Sequence, residues 1–326
     1  MGTYIIRRVL QFIPVFIGVT LLLFALKAIV PGDPVRMIIG EGRQPSQAVL
    51  EQIIENNHLD RPLPEQYLYY MNDLLHGDLG SSYQKNRPVL DIFVDKFPYT
   101  VRLALCAIAV EIVIGLAAGI ISAIKRYSFL DILTTLATSV LVSMPVFWFG
   151  LMLQIFFGIA IKDWTGGALS LPISGAGGPV SNYPTFLHYI LPAVTLAAVS
   201  LAYTARIMRS QLLEVMNADY IRTAFAKGLS KGAVIVKHAL KNAMIPVVTF
   251  IGIDFSTMLG GAILTETVFS WPGIGREIYL AITQRDWPIV LGGVILIVVI
   301  VMVINLLVDI SYALLDPRIR YSKRTD

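Results

Sequence analysis

Six segments of the chain are each long and apolar enough to cross a lipid bilayer as a helix. They lie at about residues 9–30, 101–124, 132–161, 187–208, 244–265 and 288–315. The hydrocarbon core of a bilayer is about 30 Å thick and requires roughly 20 such residues in a helix. Only 15% of the 326 residues are charged, whereas soluble domains have about 25%. The sequence therefore predicts an all-α polytopic membrane protein, and the composition excludes an ordinary soluble enzyme and a nucleic-acid binder.

The distribution of lysine and arginine predicts which side of the membrane each loop occupies. The N-terminus, the loop after the second span, the segment after the fourth span and the C-terminal tail together carry 15 of these residues. The two short loops on the other side carry three, Lys162, Arg276 and Arg285. Because positively charged loops remain in the cytoplasm, both termini are predicted to be cytoplasmic.

A long segment at residues 31–98 separates the first two spans and carries ten acidic and six basic residues. Long loops cross the membrane largely regardless of charge, so an external position is expected. Short helices are predicted at 47–57 and 64–75, separated by Pro62 and Pro64. The predicted organisation is an N-terminal end with the first span (1–30), an extracytoplasmic subdomain (31–98), a five-helix core (99–315) and a cytoplasmic tail (316–326).

The basic segment between the fourth and fifth spans is predicted to contain two short amphipathic helices. Asn217 is a candidate N-cap, and Asp219 lies in the first turn. Ile221 and Phe225 are four residues apart, which places them on one helical face, and Gly228 is expected to end the helix. A second amphipathic run is expected to follow as far as residue 242. Such helices suit a docking surface, although a basic loop that merely obeys the charge rule remains an alternative.

Small residues and prolines predict how the spans pack. Gly252, Ser256 and Gly260 form a stripe on the fifth span that allows close approach of another helix. The stripe alone does not distinguish a helix of this chain from a helix of a second, homologous membrane protein. Pro145 and Pro192 are expected to interrupt the third and fourth spans.

Several motifs of this chain resemble those of the permeases of ABC importers. Ala224, Gly228 and Leu240 resemble the cytoplasmic loop signature of these permeases, although Arg222 replaces its glutamate and Lys241 its proline. Other motifs are similar to the oligopeptide and dipeptide branch of that family: PGDP at 31–34, LDRP at 59–62, HGDLGSS at 76–82, ETVFSWPGIG at 266–275 and LDPR at 315–318.

The resemblance implies six helices of the type I ABC-importer permease kind, with an external subdomain after the first helix, in a prokaryotic cell membrane. The chain would form half of a pore for oligopeptides or dipeptides, with nickel or another small solute as the alternative in the same branch. The implied partners are a homologous second permease, two ATP-binding subunits and an extracytoplasmic peptide-binding protein.

In this scheme the coupling loop is residues 209–243, and ATP and Mg are bound by the partner subunits rather than by this chain. The residues implied to couple to the ATP-binding subunit are Asp219, Tyr220, Arg222, Thr223, Ala224, Lys227, Gly228 and Leu229.

The chain is not expected to be an enzyme. A phosphate-binding P-loop requires a Gly-Lys pair, which does not occur in the sequence. Residues 228–232 fit the Gly-x-Ser-x-Gly pattern of hydrolases, but that motif requires a strand before the serine, and here helices are predicted on both sides. With one cysteine, Cys106, and four histidines on separate segments, no metal site is expected.

Two acidic residues lie well inside predicted spans, Glu111 in the second and Asp254 in the fifth, while Asp309 lies near the cytoplasmic end of the sixth. Ionisable residues within a membrane are costly and are candidates for a functional site. They are candidates for lining the substrate path, and a buried interhelical hydrogen bond is the alternative. A stand-alone secondary transporter would use such acids as coupling sites, but the sequence has no internal repeat of the kind that architecture requires.

Overall fold

The computed structural model describes residues 2–29, 35, 46–56, 58–179 and 181–315. The helices are α1 (Gly2–Ile29), α2 (Gln47–Asn56), α3 (Leu63–Leu75), α4 (Val89–Val110, a π-helical turn at Glu111–Gly115, then Leu116–Ile124), α5 (Phe129–Ser143), α6 (Val146–Ile155, a π-helical turn at Phe156–Ala160, then Ile161–Thr165), α7 (Leu187–Met216), α8 (Asp219–Ala226), α9 (Lys231–Val234, a π-helical turn at Ile235–Ala239, then Leu240–Gly261), α10 (Ile263–Val268), α11 (Ile274–Gln284) and α12 (Trp287–Leu315). The described residues contain no strand.

Six of these helices, α1, α4, α6, α7, α9 and α12, are long and apolar enough to span a membrane. The prediction of six spans is thereby confirmed, although several boundaries differ. Helix α4 begins at Val89 instead of residue 101, because Val89, Ile92 and Phe93 are buried against α11 and α12.

Proline affects the third and fourth spans differently. Met144 and Pro145 adopt extended backbone conformations, so the predicted span at 132–161 is divided into α5 and α6. Helix α7 continues through Pro192, and the prediction that this proline interrupts the fourth span is wrong. Pro192 is the sixth residue of α7 and is buried among its neighbours, and neighbouring helices allow a proline within a membrane-spanning helix.

Helix α7 is the central helix of the bundle. In the most apolar 18-residue stretch of α7, 56% of the residues are buried, whereas the share in the corresponding stretch of α6 is 6%. It packs against α4, α5, α6 and α9. On α4, a Cβ added at Gly119 would lie 2.6 Å from the Ala205 carbonyl oxygen of α7. Glycine at this position therefore permits the close approach of the two helices.

The stripe of small residues on α9 faces α12 of the same chain. Cβ atoms added at Gly252 and Gly260 would lie 3.0 Å and 3.1 Å from side chains of α12. Between them, the Ser256 hydroxyl donates a hydrogen bond to Asn305 Oδ1 at 3.1 Å. The structure thus assigns the stripe to packing within the chain.

The two short helices predicted after the first span are confirmed as α2 and α3. Helix α3 follows Pro62 and packs on α1, where Tyr67 and Thr20 share a hydrogen bond at 2.9 Å. The motif at 31–34, the last three residues of the motif at 315–318 and the predicted tail at 316–326 lie outside the described residues.

Candidate functional site: the α8 surface and two carboxyl groups within the spans

Helix α8 forms most of the candidate coupling site. It begins after Ala218, which is extended, and no side chain caps its first turn. The predicted capping role of Asn217 is wrong, because Asn217 ends α7 and its side-chain amide donates to the Leu213 carbonyl. The predicted termination at Gly228 is confirmed, since this residue has φ of +80°, a conformation that glycine adopts without strain.

Apolar contacts anchor α8 to three spans. Ile221 is completely buried and Ala224 is nearly so. They belong to one cluster with side chains from α4, α7 and α9: Ala123, Met208, Leu212, Val234, Ala239, Ala243 and Val247. A polar contact adds to the anchor, because Asn242 donates to the Tyr220 hydroxyl at 2.9 Å. Helix α8 is therefore packed directly against the ends of these spans.

The opposite face of α8 is exposed and combines apolar and charged groups. Tyr220, Phe225 and Leu229 are 44%, 41% and 40% exposed. Arg222 and Asp219 form an exposed ion pair at 3.6 Å. We call the exposed side chains of residues 219–229 the α8 surface. Phe225 was expected to share a face with Ile221, but the buried partner of Ile221 is Ala224.

The residues predicted to form the coupling site are thus together in the fold, with different exposures. Ala224 is buried and supports the helix, whereas the other seven are exposed. Sequence reasoning omitted Phe225 from this set. The sequence did contain a signal that Phe225 is exposed, because Phe225 lies between Thr223 and Lys227 in the proposed coupling segment. A short helix that buries one narrow stripe exposes its remaining residues.

Glu111 and Asp254, predicted on different spans, are neighbours in the structure. Glu111 is completely buried at the start of the π-helical turn of α4. Its Oε1 accepts a hydrogen bond from the Thr204 hydroxyl of α7 at 2.6 Å. The Asp254 carboxyl on α9 interacts with both Glu111 and Ser200. Their role in a substrate path stays a prediction.

A third group of polar residues lies at the opposite end of the bundle, which we call the α11 end. Glu266 is completely buried, and its carboxylate accepts hydrogen bonds from the Thr100 hydroxyl at 2.7 Å and the Arg276 amide at 2.9 Å. Thr100 in turn accepts one from the Ile274 amide at 2.9 Å. Burial raises the pKa of Glu266, and its hydrogen bonds oppose that shift. Glu266 thus fixes the first turn of α11 without belonging to that helix.

Glycines leave the space that the Glu266 side chain occupies. A Cβ added at Gly273 would overlap its carboxylate, and one added at Gly275 would lie 2.8 Å from Ile263 Cα. Side chains at these two positions are therefore incompatible with the observed packing.

Asp286 joins the segment before α4 to the start of α12. It is 1% exposed and accepts hydrogen bonds from the Ser82 hydroxyl at 2.5 Å and the Tyr83 amide at 3.1 Å. Lys85 and Glu277 form an ion pair nearby. Burial and the Asp286 carboxylate raise the pKa of Tyr83 to about 12. The motif at 76–82 is thereby attached to the last two helices.

Six spans, with a short exposed helix between the fourth and fifth that is anchored to three of them, define a membrane permease of the transporter class. The chain belongs to the family described as binding-protein-dependent transport system inner membrane component, whose match covers residues 115–321. The N-terminal part of the same family matches residues 1–104.

Relatives match this chain over nearly its full length. The dipeptide transport system permease protein DppB of Escherichia coli K12 is 41% identical and covers 98% of this chain and 99% of its own length. The di/tripeptide permease DppB of Pseudomonas aeruginosa is 42% identical and covers 99% and 100%. The glutathione permease GsiC of Pectobacterium atrosepticum is 40% identical and covers 98% and 100%.

Solved structures share the fold at low sequence identity. An inward-facing structure of the MetNI methionine ABC transporter matches with a TM-score of 0.53 and 17% identity, over 70% of this chain and 97% of that one. An amino acid ABC transporter crystallised with histidines matches with a TM-score of 0.52 and 14% identity, over 69% and 94%. The predicted permease fold is thereby confirmed.

Proposed function

We propose that the chain forms half of the transmembrane pore of an ATP-driven importer of short peptides, with both termini in the cytoplasm. The observation that carries this proposal is the α8 surface, anchored to three spans in a chain of this family. Relatives of full length are named as permeases for dipeptides, di/tripeptides and glutathione, which favours short peptides over nickel as substrates.

The energy for transport comes from separate ATP-binding subunits that hold ATP and Mg, and the chain itself is not an enzyme. One such subunit docks on the α8 surface. Tyr220, Arg222 and Phe225 supply aromatic and guanidinium groups, which dominate the energetics of many interfaces. Closure of two ATP-binding subunits changes their affinity for the two states of the permease and thereby shifts its conformation.

The remaining partners complete the pore and deliver the substrate. A homologous second permease supplies the other half, and an extracytoplasmic peptide-binding protein captures the peptide. Since the binding protein performs the capture, weak contacts between permease and substrate suffice.

The first test is co-purification of the tagged chain from native membranes in mild detergent, followed by mass spectrometry. We expect two ATP-binding subunits and a second six-span permease. The complex is then reconstituted in lipid with the binding protein, and ATP hydrolysis is measured with dipeptides and with nickel. Active transport by this chain alone, without ATP, would overturn the proposal.

The second test removes the coupling contact alone. Phe225→Ala is expected to lower peptide-stimulated ATP hydrolysis and uptake several-fold while leaving the chain inserted in the membrane. Phe129→Ala is the matched control, because Phe129 is 76% exposed at the start of α5, outside the coupling loop. Equal uptake by both variants would contradict the docking role of Phe225.

The third test breaks the helix. Proline within a helix costs about 3 kcal/mol or more, so Ala224→Pro is expected to uncouple ATP hydrolysis from transport. Normal uptake by Ala224→Pro would refute the role of α8.

A further inference from the structure

Glu111 and Asp254 form a pair of carboxyl groups within the spans, without a cationic partner among the contacts that the structure shows. Glu111 interacts with Thr204 and Asp254, and Asp254 interacts with Ser200 and Glu111. The cations of α7 are engaged elsewhere: Arg206 donates to Thr138 and Ser139, and Arg209 is paired with Asp131. Among the contacts of the described residues, no positive charge compensates two negative ones at this pair.

One oxygen of each carboxyl group is left without a donor. Glu111 Oε2 and Asp254 Oδ2 are both buried, and neither accepts a hydrogen bond from the protein. Glu111 is completely buried, so its unpaired oxygen is enclosed in the bundle. Two ionised carboxylates in contact at such a site would repel each other strongly, and each would lose its hydration.

A single proton held between the two carboxyl groups would make one of them a donor to the other. A protonated carboxyl is a donor, and an adjacent carboxylate is a strong acceptor. A metal ion is a poorer candidate, because the described residues contain no group of three or more His, Cys, Asp or Glu side chains that could hold one. A proton requires only two carboxyl groups that interact with each other, as Glu111 and Asp254 do.

We propose that Glu111 and Asp254 are a proton-binding site in which one proton, shared by the two carboxyl groups, joins the second span to the fifth. Thr204 and Ser200 attach the same pair to the fourth span. A movement that separates α4 from α9 would expose both groups to water, where each would ionise and the proton would be released. The shared proton thus stabilises the arrangement of spans seen here, independently of which substrate the protein carries.

Infrared spectroscopy tests the proposal directly, since a protonated carboxyl has a carbonyl stretch that a carboxylate lacks. The full-length chain, with the subunits that accompany it, is measured in lipid at neutral pH. Difference spectra are taken between the native protein and the variants Glu111→Gln and Asp254→Asn. A shared proton predicts that either substitution alone removes the same protonated-acid band, because the remaining acid then ionises and accepts from the new amide.

Asp131→Asn is the matched control. The Arg209 guanidinium and the Ser122 hydroxyl lower the pKa of Asp131, so this carboxyl is ionised and its replacement should remove no such band. If a single variant fails to insert, the other single variant still tests the proposal, because its remaining acid must lose the band, and the double variant Glu111→Gln/Asp254→Asn gives the spectrum without either acid. The proposal is overturned if neither variant loses a band, or if the band disappears with only one of the two substitutions. Neither result bears on ATP-driven transport, so the two proposals fail separately.

Discussion

The α11 end of the bundle and helix α8 at the other end are held in place by different kinds of contact. At the α11 end, the buried carboxylates of Glu266 and Asp286 accept hydrogen bonds from backbone amides and hydroxyl groups. At the end that carries α8, Ile221 and Ala224 rest in an apolar cluster, and the charged side chains of the helix are exposed. Hydrogen bonds are directional, whereas apolar contacts tolerate small displacements. The Asp131–Arg209 ion pair at the α8 end joins α5 to α7, so the contrast concerns α8 and its apolar cluster. We call the α11 end the fixed end and α8 with its cluster the adaptable end.

The largest expected effect is at the fixed end. Glu266→Ala leaves the Thr100 hydroxyl and the Arg276 amide without their acceptor in a buried site. Each such group costs about 1–3 kcal/mol, so we expect a loss of roughly 2–6 kcal/mol in the free energy of unfolding. Thermal unfolding in lipid nanodiscs measures it. Glu266→Gln retains one acceptor oxygen and should lose less; equal stability of Glu266→Ala and the native chain would remove the distinction between the two ends.

The adaptable end should respond to loss of volume rather than loss of a hydrogen bond. Ile221→Ala deletes buried methyl groups from the cluster beneath α8, and such deletions cost about 2–5 kcal/mol. We expect a loss of unfolding free energy near the lower limit of this range, because a short helix is able to move into the cavity that the substitution leaves. Phe225→Ala is the control in the same helix, with almost no change in unfolding. Similar losses for both variants would show that α8 is not oriented as described.

Asp286 provides a smaller test of the fixed end. Asp286→Ala removes the acceptor of the Ser82 hydroxyl and the Tyr83 amide. Because Tyr83 is only partly buried, water is able to replace the hydrogen bond to its amide. We expect a loss of about 1–3 kcal/mol and faster proteolysis between Leu79 and Val89. Asp78→Ala serves as the reference, since the Asp78 carboxylate is exposed and accepts a hydrogen bond from the nearby Gly80 amide. Unchanged proteolysis in Asp286→Ala would contradict an attachment at this point.

The smallest expected effect concerns the exposed ion pair of α8. Arg222 and Asp219 are 76% and 97% exposed, and exposed pairs contribute about 0–1 kcal/mol. Arg222→Ala should therefore leave the unfolding temperature unchanged within error while weakening the interaction with ATP-binding subunits, as measured by co-purification yield. Clear destabilisation by this substitution would mean that polar contacts hold α8 as well.

Much of the fold was predictable from the sequence because its signals are long or local. Six spans follow from six apolar runs, α2 and α3 from periodicity between prolines, and the end of α8 from a single glycine. The role of Asn217 was not predictable, since the end of one helix and the start of the next compete for the same residue. The rotation of α8 depends on the cluster contributed by α4, α7 and α9, which no local pattern contains.

The candidate site, too, was predictable from the sequence only in part. The motif at residues 219–229 predicted which segment forms the exposed surface, but the exposure of Phe225 depends on tertiary contacts. That Glu111 and Asp254 meet was not predicted, because they are far apart in the sequence and join through α7. Glu266 lay in a recognised motif, yet its hydrogen bonds to Thr100 and the first turn of α11 depend on how α4 passes beside that loop.

The space that Gly273 leaves for the Glu266 carboxylate has a consequence for how this loop is able to evolve. An added side chain at Gly273 and the present acid at position 266 exclude each other, so neither position is free to drift alone. A deep mutational scan should find Gly273→Ala deleterious, with partial rescue by the shorter acid in Glu266→Asp. The two positions then behave as one inherited unit, and the double variant is tolerated better than two separate scans would suggest.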